Sequence, residues 1–297
     1  MKCINKWICL SLLIAVSCVS GCGKTSAAIE QPYDVYATAA DFGLSSNGTA
    51  EAKSYFASDL CVSEDVAIGT DSTDSQVAEG AGTFNLETNT VVYAKNLYER
   101  LYPASTTKIL TAYIALKYCD DLDAMVTVSE NAVNQASDSS VCNLKAGDVI
   151  RLRDLLYGLM LRSGNDAAVA IAEYISGDVD SFAALMNQEA AAMGATRSHF
   201  VNPNGLPDEN HYTCVYDMYL IFSNAIKNDT FVSIIGTTSY DVTYTDASGE
   251  AVTHTWENTN QYLTGNATTP DGFQIVGGKT GTTGEAGYCL VLYSYNP

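Results

Sequence analysis

In "PASTTK", residues 103–108, a serine and a lysine stand three apart just ahead of the apolar run "ILTAYIAL". On a helix, residues i and i+3 share a face, so the Lys108 amine comes within reach of the Ser105 hydroxyl. A serine hydroxyl is a poor nucleophile until a neighbouring base takes its proton. Lysine can be that base where burial and nearby charge lower its pKa. The start of a helix also offers free backbone N–H groups able to hold a developing oxyanion. Taken alone, the stretch is more often ordinary helix capping by Ser or Thr with Pro in the first turn. The competing serine chemistry needs a histidine. Only His199, His211 and His254 are present, none in a G-x-S-x-G setting, so each reads as structural.

Two further clusters decide between these readings. "SGN", residues 163–165, brings Ser163 and Asn165. "KTG", residues 279–281, brings Lys279, Thr280 and Gly281, with Thr282 next. Singly, the first reads as a loop with a capping Asn and the second as a turn. In the order S-x-x-K, S-x-N, K-T-G they form a recognised catalytic set.

The elements that must position these residues can be read around them. "TFNLETNTVVYAKN" predicts two short strands joined by a polar turn at "ETNT". A helix follows "PASTTK" to about Tyr118, with Ile109, Leu110, Tyr113, Ile114 and Leu116 on its apolar face. "LRDLLYGLMLRSGNDAAVAIAEYI" predicts two helices broken at "SGN", with Asn165 or Asp166 capping the second. "DSFAALMNQEAAAMGA" is another helix, capped by Asp180 and ended by Gly194, and "VYDMYLIFSNAIKN" one more. "SYDVTYT", "AVTHTW", "FQIVGGKTGTT" and "YCLVLYSY" have strand character. Strands, a block of helices, then strands predict an α+β fold, with one antiparallel sheet built from both chain ends against a helical cluster.

From about residue 80 onward the sequence resembles the serine-type D-alanyl-D-alanine carboxypeptidases, the low-molecular-weight penicillin-binding proteins of the β-lactamase/transpeptidase-like superfamily. The likeness lies in "YAKNLYERLYPASTTK", "LRDLLYGLMLRSGNDAAVAIAE", "HFVNPNGLPDENHYT" and "GGKTGTTGEAGYCLV" as well as in the short motifs. It implies that Ser105 attacks the carbonyl between the terminal D-alanines of a peptidoglycan stem peptide, and that Lys108 accepts its proton. Ser163 would pass a proton to the departing D-alanine, and Asn165 would bond the substrate backbone. Lys279 would supply positive charge, and Thr280 and Thr282 would help hold the terminal carboxylate. The N–H groups of Ser105 and Thr282 would form the oxyanion hole. Water would then release the acyl group, with no metal or cofactor, and β-lactam antibiotics would acylate the same serine.

Two alternatives stay open within the superfamily: a class A-like β-lactamase, and a non-catalytic wall-binding lipoprotein. Against the first, class A enzymes usually carry S-D-N where this chain has S-G-N. Glu173 and Glu189 also fall in helical patterns that read as solvated faces rather than as a deacylating loop. Family members usually continue with another strand, often with a β-rich domain and a membrane anchor. The chain ends at Pro297, so the resemblance predicts possible truncation, weak activity and a carboxylate pocket that leans on Lys279 and Thr282.

The remaining sequence bounds setting and partners. With 297 residues, 47% of them hydrophobic, the chain can build a substantial core. Its 15 Lys and Arg against 34 Asp and Glu give a net charge of −19 and no basic stripe, which argues against a nucleic-acid-binding surface. Residues 1–22 read as a lipoprotein-type signal: Lys2 and Lys6, then "WICLSLLIAVSCV", then "VSGC", with Cys22 the lipidated position. The mature protein is therefore expected outside the cytoplasm, lipid-anchored to the membrane. An ordinary signal cut near Ala27 is the plainer alternative. Residues 23–77 read as an acidic, loosely structured tether, with "SYFASDLCV" a short ordered element. Residues 78–297 form the predicted catalytic domain. The five cysteines beyond the signal are scattered without C-x-x-C spacing and read as small core residues.

Overall fold

The structure, a computed structural model, describes Ala57, residues 59–69 and residues 78–296. The expected signal segment, Cys22 and most of the acidic region lie outside the described residues. The folded unit begins at Asp59. Residues 59–69, which composition assigns to the tether, pack onto it: Cys61 N–H donates to the Tyr219 hydroxyl (2.8 Å) and Ile68 bridges Ala94.

Its centre is helix α1, Lys108–Tyr118. "KILTAYIALKY" is apolar or small on nearly every side until its last turn, and such a helix belongs inside a bundle. It is surrounded by α3 (Leu152–Leu161), α4 (Asn165–Ser176), α5 (Val179–Ala192), α6 (Val215–Ala225) and α7 (Asp229–Ile235). The short α2 spans Glu130–Val133. Ile109, Leu110, Leu155, Leu159, Ile171, Phe182 and Phe231 are all buried in the shared core.

The strands form antiparallel pairs throughout. β1 (Ala81–Asn85) pairs with β2 (Thr90–Lys95) across the expected turn. β3 (Met125–Thr127), β4 (Val149–Arg151), β5 (Ser239–Thr245) and β6 (Ala251–Glu257) make a four-stranded sheet in that order. β7 (Gln274–Thr283) pairs with β8 (Gly287–Tyr295), placing Gly281 opposite Cys289. The fold class is as expected: α+β, with helices packed on antiparallel strands. The two end hairpins do not join in one ladder, however. Phe84 of β1 stacks on Tyr219 of α6 at 4.2 Å, whereas β7 packs on α7 and on the turn carrying Ser105.

Several local expectations are corrected. Glu189 is not on a solvated face: it is 3% exposed, accepting from the Lys117 ammonium and the Tyr118 hydroxyl, both at 2.6 Å. Its side of α5 faces α1, and a buried carboxylate needs such partners. Glu173 accepts from Ser129 and Asn131 at 2.6 and 2.7 Å. The cap of α5 is Asp178, whose side chain accepts from Ser181 N–H, rather than Asp180. Neither Asn165 nor Asp166 caps α4; Gly164 holds that position.

Candidate active site

The chain after Pro103 enters a 3₁₀ turn, Ala104–Thr107, that runs directly into α1. Ala104 sits at φ 47, a left-handed conformation that L residues adopt only under constraint. The turn presents Ser105, half-buried, at the head of α1, and Lys108 lies one turn below it with its side chain wholly buried. Lys108 Nζ is 2.9 Å from Ser105 Oγ.

Two other acceptors complete the surroundings of that amine. Asn165 Oδ1 lies at 2.7 Å and the backbone carbonyl of Asn204 at 2.6 Å. Burial, and then the Lys279 ammonium, push the Lys108 pKa well below its ordinary value. A neutral amine has two N–H donors and one lone pair. Donating to Asn165 and Asn204 leaves that lone pair for the Ser105 proton, the arrangement a general base requires.

The second group is Ser163 with Lys279. Ser163, at φ 59, closes the break between α3 and α4, and Lys279 Nζ donates to its Oγ at 2.9 Å. Lys279 also donates to the Thr280 carbonyl at 2.7 Å, and burial lowers its pKa to about 7. Side chains alternate along β7. Lys279 and Gly281 face inward and are buried, while Thr280 and Thr282 face outward. A Cβ on Gly281 would stand 2.9 Å from the Ser105 nitrogen, so glycine lets β7 run against the turn that carries the hydroxyl.

The structure thus brings together Ser105, Lys108, Ser163, Asn165, Lys279, Thr280 and Gly281, with the exposed Thr282 next along β7; Cys22 lies outside the described residues. Sequence reasoning missed three supports. Asn204 acts through a backbone carbonyl, which any residue carries; its only visible signal was the turn-forming "NPNG". Gly205 lies against Ala104. Asp166, buried, accepts from the N–H groups of Cys142 and Leu144 and thereby ties their loop to the "SGN" break.

The histidines stay outside the chemistry. His211 Nδ1 accepts from Val201 N–H at 3.1 Å, so its Nε2–H donates to Thr107 Oγ1 at 2.9 Å. Burial lowers its pKa to about 4, which keeps that tautomer neutral. Cys214, three residues on, caps α6 and does not join His211 at a metal site. The five described cysteines are free thiols, of which Cys61, Cys142 and Cys214 are buried as expected and Cys119 and Cys289 only partly so.

A buried helix opening on a serine–lysine pair, flanked by a second serine and a strand-borne lysine, is the arrangement of a serine peptidase whose general base is a lysine. The model of the D-alanyl-D-alanine carboxypeptidase family (peptidase family S11) matches residues 69–296. A D-alanyl-D-alanine carboxypeptidase of a Streptomyces species is 37% identical over 225 residues, covering 72% of this chain and 75% of the relative. The enzyme DacF of Bacillus subtilis is 35% identical over 218 residues, covering 72% of this chain but only 53% of the relative. The chain therefore spans about half of one curated relative and three quarters of the other. The crystal structure of the Streptomyces K15 DD-transpeptidase superposes with a TM-score of 0.67 at 36% identity, covering 72% of this chain and 84% of that one. This chain belongs to the D-alanyl-D-alanine carboxypeptidase family.

Proposed function

We propose that this protein is a serine D,D-carboxypeptidase that removes the terminal D-alanine from peptidoglycan stem peptides. The observation that carries the reading is the buried Lys108 amine, 2.9 Å from Ser105 Oγ and depressed in pKa. Lys108 takes the Ser105 proton as the hydroxyl attacks the carbonyl between the two D-alanines. The N–H groups of Ser105 and Thr282 hold the oxyanion. Ser163, bonded to Lys279, delivers a proton to the leaving D-alanine, and Asn165 orients the peptide. Thr280 and Thr282 hold the free carboxylate and Lys279 supplies positive charge behind them, since a carboxylate favours charged and hydroxyl donors. Water then releases the acyl group. Penicillin acylates the same serine.

The test is incubation with a diacetylated Lys-D-Ala-D-Ala peptide and, separately, with a penicillin. Release of D-alanine with slow penicillin turnover supports the reading. Fast penicillin turnover makes the protein a β-lactamase, and neither activity makes it a non-catalytic wall-binding protein. Because one structural neighbour is a DD-transpeptidase, an amine acceptor such as glycine belongs in the same assay; a glycine-exchanged product would show transfer competing with hydrolysis.

The two lysines predict a bell-shaped pH profile. As pH rises, Lys108 loses its proton at a depressed pKa and becomes a competent base, so kcat/KM climbs. Lys279 loses its charge above about 7, weakening carboxylate binding, so kcat/KM then falls. Lys279→Arg keeps the charge at all accessible pH and should remove the alkaline fall, whatever its absolute rate. An unchanged alkaline limb in that variant would show that Lys279 does not set it.

Wall enzymes of this family act outside the cytoplasm, and "VSGC" after an apolar run supports export with a lipid on Cys22. No helix among the described residues is long and apolar enough to cross a membrane. A single acyl chain binds membranes only marginally, so two-chain lipoprotein modification is the form expected to hold. Cys22→Ala should move the protein from the membrane to the soluble fraction; retention in the membrane would refute the anchor.

A further inference from the structure

Beyond the three motifs, Thr259 meets the outward face of β7. Thr259 Oγ1 lies 2.6 Å from Thr280 Oγ1. Thr259 is exposed, whereas its neighbours Asn258 and Asn260 are buried, 7% and 1% exposed. That alternation is held by a dense set of bonds. Asn258 donates its backbone N–H to Thr238 O and its side-chain amide to Thr237 O, both at 2.8 Å. Asn258 Oδ1 accepts from Asn260 N–H at 2.9 Å. Thr259 N–H donates to Leu161 O, at the end of α3 two residues before Ser163. The segment is thus pinned to β5's approach on one side and to the "SGN" break on the other. Its one outward side chain lands on the motif threonine.

We infer that Thr259 is a positioning residue for carboxylate recognition, acting through Thr280; this rests on the function proposed above. The chemistry follows from counting protons. Two facing hydroxyls share one hydrogen between them. If Thr280 donates to Thr259, its proton is unavailable to a substrate. If Thr259 donates, Thr280 Oγ1 accepts and its own proton points outward. A carboxylate is acceptor-only and selects the second state. Thr259 therefore sets the rotor of Thr280 and polarises its O–H towards the substrate's terminal oxygen. Valine keeps the shape of threonine but cannot donate; serine can.

Three proteins, wild type, Thr259→Val and Thr259→Ser, are compared on the D-Ala-D-Ala peptide, on its C-terminal amide, and in melting temperature. Losing a neutral hydrogen bond of this kind corresponds to a change of about two- to ten-fold. Thr259→Val should raise KM for the acid by that factor with kcat little changed, and lower the preference for acid over amide by the same factor. Thr259→Ser should restore both, and melting should be the same in all three. Equal losses on acid and amide, no rescue by serine, or an unchanged Thr259→Val would each overturn the assignment. A wild-type protein that neither releases D-alanine nor is labelled by penicillin overturns the function proposed above, and this role with it. Wild-type activity beside an indifferent Thr259→Val overturns this role alone.

Discussion

Ser105→Ala is expected to abolish both D-alanine release and covalent labelling by penicillin. The hydroxyl is the group that Lys108 can deprotonate: 2.9 Å from the amine, on a turn whose strained Ala104 and tight approach to β7 hold it in place. Alanine removes the proposed nucleophile without disturbing the turn. Thr106 Oγ1 still donates to Pro103 O at 2.6 Å, and the helix behind it is buried in the core. Loss of a catalytic serine in hydrolases that use a serine–base pair lowers kcat by roughly 10⁴- to 10⁶-fold. The melting temperature should stay near that of the wild type. Peptide mass mapping of the wild type should place the penicilloyl adduct on Ser105. An adduct on Ser163 would reverse the roles of the two serines.

Gly205→Ala should have the next largest effect, though Gly205 touches no substrate. A Cβ there would stand 1.8 Å from the Ala104 carbonyl oxygen and 2.9 Å from Thr107 Oγ1. No side-chain rotation relieves a clash with backbone, so either the loop at 202–206 or the turn at 104–107 must move. Either movement separates the Asn204 carbonyl from Lys108 or shifts Ser105 itself. Displacement of a reacting group by about 1 Å costs on the order of 100-fold in rate. The residue also sits at φ +87, where a Cβ adds about 1–2 kcal/mol of strain. Gly249→Ala separates the two effects. Its φ is +89, but nothing lies within 4 Å of a Cβ there. Gly249→Ala should lower the melting temperature slightly and leave penicillin acylation intact, whereas Gly205→Ala should lose both. Acylation by Gly205→Ala at the wild-type rate would show that the contact does not govern the site.

Much of the scaffold is legible in residue order because it rests on local rules. The turn at "ETNT" closes β1 and β2, and the break at "SGN" separates α3 from α4. The Ser105–Lys108 contact needs little more than helical spacing, which joins i and i+3 wherever the chain folds. The histidines read as structural, and each has a structural partner: Thr107 for His211, Asn210 for His199, Tyr244 for His254. Caps were less secure. Asp166 has the composition of a cap, yet its carboxylate serves the N–H groups of a loop more than twenty residues away in sequence. Glu189 shows the same limit, since its helix position does not say which face of α5 meets α1.

The sequence by itself determined which side chains could do the chemistry and the one contact that a helix turn enforces. Only the tertiary structure decided what those side chains are. Lys108 is a depressed amine because α1 is wrapped on all sides and Lys279 stands near it, and burial is a property of the whole packing. Ser163 and Lys279 meet across 116 positions. Asn204 enters through a carbonyl that residue identity cannot reveal, and Thr259 matters only because a pinned loop lays it on Thr280. Backbone groups and long-range neighbours leave no local pattern of residue types, so their roles emerge only when the chain is closed.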